Sequence, residues 1–149
     1  MTKTKKIYKA RKGSRGIKDE DAQVYGCRIE ELMDKRNGKL TPKDVVKDGR
    51  NKTSPFNSYF EWDNTKAGEK YRLHQARYLL ASIVTITIVE NTPTEQRGFF
   101  SVKNGNNTPV YVTLDTAIKE EPYRNQIIDK ITNHLENTVV LLKMFKQSC

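Results

Sequence analysis

The sequence predicts an α+β fold, and three segments of alternating hydrophobic period predict it. Residues 19–82 carry helical stripes interrupted by capping signals. Residues 84–114 alternate with a period of two, and residues 121–146 return to a helical period. Helices, then strands, then a helix give segregated elements rather than repeated βαβ units. The expected architecture is an N-terminal segment of three helices, a three-stranded antiparallel meander and a long C-terminal helix. These form one domain over 19–149, preceded by an arm at 1–18.

The arm is Lys-, Arg- and Gly-rich, with Ile7, Tyr8 and Ile17 its only large apolar residues. Such a composition does not offset the entropy of ordering, so disorder is expected over 1–18. The first helix covers 19–36, with Val24, Cys27, Ile29, Leu32 and Met33 as its stripe and Asn37-Gly38 as its stop. A second, shorter helix starts at Thr41, with Pro42 at the first helical position and Asp44 placed for a capping box. Val45 and Val46 point inward and Gly49 ends it. Phe56, Tyr59, Phe60 and Trp62 crowd the segment 54–64, which reads as one helical turn wedged into the core.

The third helix is expected over 64–82. Ala67, Tyr71, His74, Tyr78 and Ala81 share a stripe that should be packed, while Lys66, Lys70 and Arg77 share another that should meet solvent or a ligand. The meander follows: Val84, Ile86 and Ile88, then Phe100 and Val102, then Val110, Val112 and Leu114. Its first connection, 90–97, is polar, and its second, Asn104–Thr108, is a strong turn signal. A short turn at Asp115 or Thr116 leads to the last helix, whose apolar face is Ile128, Ile131, Leu135, Leu142 and Phe145, widened by Ile127 and Val139.

Charge is distributed unevenly. The chain holds 27 basic and 18 acidic residues, a net of +9. Eight of the cations, Lys3, Lys5, Lys6, Lys9, Arg11, Lys12, Arg15 and Lys18, stand in the first eighteen residues, which contain no acid. The remainder has 19 basic and 18 acidic residues, or +1. A basic arm on a near-neutral body points to an electrostatic tether for a polyanion. The arm would contact phosphates with release of counterions, and Arg11 and Arg15 are candidates for a minor groove. Lys66, Lys70 and Arg77 form a possible second phosphate-contacting patch.

Other constellations carry less. Residues 41–62 invite a helix-turn-helix reading, but the loop after Gly49 is long and the second element is aromatic. The aromatic block, or Tyr111, could stack bases, although such density more often means core. His74 reads as a packed histidine. Neither His74 nor His134 has a partner at metal-ligand spacing, no phosphate-binding Gly loop is present, and Glu61 and Asp63 resemble caps. No catalytic residue, metal or cofactor is therefore expected. No apolar run approaches the ~20 residues of a membrane span, and no secretory signal opens the chain. In a cytosolic setting Cys27 and Cys149 would stay reduced.

The run from Leu40 to Ile83 resembles a set of small, mostly uncharacterised proteins from bacteriophage and prophage genomes. The resemblance lies in Leu40 to Pro42, Ser54-Pro55, the Phe60-Glu61-Trp62-Asp63 block, Tyr71-Arg72 and Gln75-Ala76-Arg77. It covers about a third of the chain, leaves out the basic arm, and implies a phage context without a mechanism. The leading expectation is a non-enzymatic phage-encoded accessory protein that binds nucleic acid, foremost DNA, through its arm. It would act in the bacterial host cytoplasm as a homo-oligomer with no membrane association. The alternative is a virion structural or assembly protein whose arm docks on a neighbouring subunit or on packaged DNA.

Overall fold

The computed structural model describes residues 6–66 and 68–147. It divides the chain into two units, Met1–Leu114 and Asp115–Cys149. The expected single domain over 19–149 thus spans most of the first unit and all of the second. The boundary at Leu114 separates the last helices, and the N-terminal segment belongs to the first unit.

That inclusion is the largest departure from expectation. Tyr8–Ala10 form a strand, β1, and residues 11–18 continue as turns into helix α1, Asp19–Asp34. Tyr8 is 3% exposed and its ring stacks on Phe99 with centroids 5.7 Å apart. The ring lies against Gly26 of α1, where an added Cβ would come within 2.2 Å of it. One aromatic residue fitted onto one glycine supplies the burial that composition hides. Gln23 of α1 completes the attachment by accepting from the Tyr8 amide and donating to the Lys6 carbonyl. Ile17 is also buried. Disorder over 1–18 therefore fails for the described part; residues 1–5 lie outside it.

Three acids, Asp19, Glu20 and Asp21, fill the first turn of α1, where they meet the positive end of the helix dipole. The buried side is Ala22, Tyr25, Gly26, Ile29, Leu32 and Met33, whereas Val24 of the expected stripe is exposed. Asn37 and Gly38 take positive φ and the Gly38 amide returns to the Met33 carbonyl. Helix α2, Pro42–Gly49, opens with the capping box: the Thr41 amide donates to Asp44 Oδ2 and the Asp44 amide to Thr41 Oγ1. Arg28 of α1 donates two hydrogen bonds to the Asp48 carboxylate, which also accepts from Ser54 Oγ. Residues 50–59 then run through turns, without the expected helical turn. Phe56 and Phe60 are nonetheless buried. Residues 50–59 form no helix, so α2 is not followed by a recognition helix at helix-turn-helix spacing.

Helix α3 starts at Glu69, not Asn64, and ends at Ser82, where the chain passes directly into strand β2, Ile83–Val89. Strand β3, Thr92–Arg97, pairs antiparallel with β2, and β1 pairs antiparallel on the other edge, giving the order β1-β2-β3. The polar segment expected as a loop is thus a strand. Both of its faces are largely exposed, so no alternation betrays it. It is made by a two-residue hairpin turn at Glu90 and Asn91, both at positive φ, as a type I′ turn requires. Strands β4, Phe99–Lys103, and β5, Pro109–Thr113, form a separate two-stranded sheet. The single meander is corrected to two small sheets that part at Gly98, whose amide donates to the Ile83 carbonyl. Leu40 makes an isolated bridge to Tyr111 on β5. Asn104 organises the Asn104–Thr108 turn by accepting from the amides of Asn106 and Thr108.

The core of the first unit gathers Ile29 and Met33 of α1, Val45 and Val46 of α2, Phe56, Leu79 and Leu80 of α3, and Phe99. The second unit holds α4, Leu114–Lys119, which begins one residue before its boundary, and α5, Glu121–Gln147. At 1.5 Å per residue α5 is about 40 Å long. Its only buried side chain is Tyr123.

Candidate nucleic-acid interface

The basic segment presents its cations from a fixed support. Its backbone is tied to the end of α3: the Arg11 amide donates to the Ser82 carbonyl at 2.6 Å and the Arg15 amide to Tyr78 Oη at 2.7 Å. Gly13 and Gly16, at φ of 85° and 76°, let the loop between them turn sharply. Lys9, Arg11, Lys12, Arg15 and Lys18 are exposed. Lys6 differs, because its ammonium is 2.7 Å from Glu30 and so holds β1 onto α1. Lys3 and Lys5 lie outside the described residues. Ser14 Oγ, in the same loop, is buried without a hydrogen-bond partner among the described residues.

On α3 the charged stripe is where the sequence places it, and the packed stripe is not. Lys70 and Arg77 are exposed, and Lys66 is exposed just ahead of the helix. His74 lies between Lys70 and Arg77 on the same face and is exposed too, as is Tyr71. Ala67 lies outside the described residues. The buried side of α3 is Arg72, Ala76, Leu79, Leu80 and Ser82. Hydropathy misplaces it because Arg72 is the wrong residue type for a core. Its guanidinium donates to the carbonyls of Glu61 and Trp62 and to Asn64 Oδ1, and pairs with Glu69. With its donors satisfied, its stem is free to pack.

The same arginine settles the tryptophan. Arg72 and Arg50 both place their guanidinium over the Trp62 ring, at 5.2 and 5.4 Å from its centroid, and Trp62 Nε1 donates to the Asn57 carbonyl. These contacts make Trp62 a brace for the 57–64 segment, already stacked by cations. Tyr111 is half-buried against the core and bonded through its backbone to Leu40. Neither is placed as an open stacking platform.

Tyr71, His74, Gln75 and Tyr78 of α3 instead form one wall of an open cleft of about 490 Å³. Asp21 and Tyr25 of α1, Ser58 and Tyr59, and Arg15 and Gly16 of the basic loop complete its lining. The Tyr59 hydroxyl donates to the Gln75 carbonyl. Burial pushes the Tyr59 phenol well above its ordinary range, and the neighbouring phenols of Tyr78, Tyr25 and Tyr71 push it further. Burial also raises Tyr25, as does the Asp21 charge, partly offset by a hydrogen bond with Ser58. Both therefore stay protonated at neutral pH and line the cleft with neutral hydroxyls. Only Arg15 of the expected site residues reaches this cleft. Of its other members the sequence marks Tyr71, His74 and Tyr78, but as part of a stripe that reads as core.

Among the described residues no group of three His, Cys, Asp or Glu side chains could hold a metal ion, and no helix is long and apolar enough to cross a membrane. Cys27 is a free thiol. Compared with known proteins, the chain matches no family model, no curated protein and no solved structure.

Proposed function

We propose that the protein is a non-enzymatic, phage-encoded accessory protein that binds nucleic acid, foremost DNA, through its first unit. The observation that supports this most is the anchoring of the basic loop to α3 through Arg11 and Arg15. It makes Lys9, Arg11, Lys12, Arg15 and Lys18 part of the same folded unit as Lys66, Lys70 and Arg77. Pre-set cations lose less entropy on meeting a phosphate backbone than cations on a free tail. Charge supports the same unit. Residues 115–149 hold five basic and five acidic residues, so the whole +9 resides in the first 114. The cleft beside Arg15 adds neutral hydroxyls and the half-exposed Tyr71 ring, groups suited to a sugar–phosphate unit and to a base that has left its stack.

The fold changes how this reading is tested. Deleting residues 1–18 removes Tyr8 from the core, so loss of binding would report unfolding. Charge reversal is the cleaner route. Lys12→Glu, Lys18→Glu and Arg77→Glu alter exposed side chains, for which stability effects stay small. The triple variant should bind single-stranded and duplex DNA more weakly at low salt. Its log–log salt slope should be shallower by roughly 0.7–0.9 for each phosphate that is no longer neutralised. An unchanged affinity and slope would overturn the reading.

A virion structural or assembly role is the second reading. It is favoured by the exposed apolar face of α5, which nucleic-acid binding does not use.

A further inference from the structure

Between Ile128 and Phe145, α5 repeats steps of three and four residues: Ile128, Ile131, Leu135, Thr138, Leu142 and Phe145. This is the a/d spacing of a heptad seam sustained over most of the helix. The five apolar members are 51% to 67% exposed. Thr138 is the one polar member, and its hydroxyl donates to the His134 carbonyl of its own helix at 2.7 Å. A threonine satisfied in this way can enter a dry interface without leaving a polar atom unpaired. The positions flanking the seam are Ile127, Thr132, His134, Val139, Leu141 and Lys146, of which only Lys146, at the end of the helix, carries a fixed charge. Asp129, Lys130, Glu136 and Lys143 fall on the outer positions.

We propose that α5 pairs antiparallel with α5 of a second copy of this chain through this seam. Three observations select a second copy and this direction. First, the second unit is electrically neutral, with five charges of each sign, so nothing in its net charge opposes self-association. Second, the seam is self-complementary when one helix is reversed. Ile128 then meets the partner's Phe145, Ile131 meets the partner's Leu142, and Leu135 meets the partner's Thr138. A parallel pair would instead set Phe145 on Phe145 and Thr138 on Thr138, with bulk concentrated in one layer and missing from another. Third, reversal opposes the two helix dipoles, which a parallel pair would align. The five apolar seam side chains, each more than half exposed, are the surface a second helix would cover. The pairing does not depend on the nucleic-acid reading. A pair would present two charged units on one particle, so that the second binds at a raised effective concentration.

The experiment measures the mass of the full-length protein by light scattering at micromolar concentration. Twice 17.2 kDa is expected. Leu135→Glu, and separately Ile131→Glu, place a charge in the seam and should raise the dissociation constant by about a hundredfold or more. Far-UV circular dichroism and Trp62 fluorescence show that each variant stays folded. Direction is read by cross-linking in a Cys27→Ser, Cys149→Ser background. A mixture of Ile131→Cys and Leu142→Cys chains should form a heterodisulfide, and Ile131→Cys alone should not cross-link. A monomeric wild type, or a dimer that survives both glutamates, would overturn the pairing. A ready homodisulfide of Ile131→Cys would overturn the antiparallel direction.

Discussion

The two ends of this chain have exchanged the roles that their compositions suggest. The N-terminal segment, rich in Lys, Arg and Gly, is threaded into the first unit as a strand and an anchored loop. The C-terminal helix, with a continuous apolar face, leaves that face exposed. The difference shows that burial follows the fit of particular residues more than average hydropathy. Tyr8 is one ring in a cationic segment, but it has Gly26 beneath it and Phe99 beside it. Ile131 and Leu135 have many apolar neighbours along their own helix, which cannot cover them.

The contrast breaks most readily at Tyr8. Tyr8→Ala removes a buried ring and should destabilise the first unit by roughly 3–5 kcal/mol, measured by urea unfolding. Gly26→Ala attacks the same packing from the other side, because its methyl group needs the space the ring occupies. A destabilisation below about 1 kcal/mol in both variants would mean that the basic segment is an arm after all.

A smaller effect is expected between α1 and α2, where Asp48 accepts two bonds from Arg28 and one from Ser54. Burial pushes the Asp48 carboxyl up. The Arg28 and Ser54 hydrogen bonds, with the charges of Arg28 and Lys35, outweigh burial and hold it below the ordinary value. A carboxyl depressed in the folded state stabilises that state above its unfolded pKa of about 3.9 and loses the contribution as pH falls through the folded value. Stability should therefore rise with pH across the acid range and level off above it. Asp48→Asn should flatten part of that rise, and Arg28→Ala should cost about 1–3 kcal/mol at neutral pH. A wild-type acid profile in Asp48→Asn would remove the pair from any account of the acid stability.

The α+β class, α1, α2 with its capping box, β2, the Asn104–Thr108 turn and α5 were legible because each rests on local chemistry. Thr41 and Asp44 stand three residues apart, and Asn37-Gly38 can take positive φ. The misread elements depend on partners distant in the chain. β1 exists because of Gly26 and Thr85, and β3 because a hairpin turn folds a polar segment onto β2. The buried side of α3 depends on carbonyls from 61–64 that satisfy Arg72. The proposed interface was half legible for the same reason. The exposure of cations such as Lys12, Lys70 and Arg77 needs no partner to be read, but the cleft needs α1, α3, the basic loop and Tyr59 together.

The smallest expected effect is the sharpest test of the contrast. The chain has one tryptophan, and Trp62 lies in the first unit between Arg50 and Arg72. Its fluorescence therefore reports unfolding of that unit. Tyr8→Ala should move this transition strongly, whereas Leu135→Glu should leave it within about 0.5 kcal/mol of wild type, since a side chain more than half exposed has little burial to lose. The comparison is made at low protein concentration, where any pairing through α5 is dissociated and cannot add its own mass-action stabilisation. A Leu135→Glu shift above about 1 kcal/mol under those conditions would show that the α5 face supports the first unit within one chain. An unmoved transition, together with the loss of the paired mass, would assign that face to association between copies.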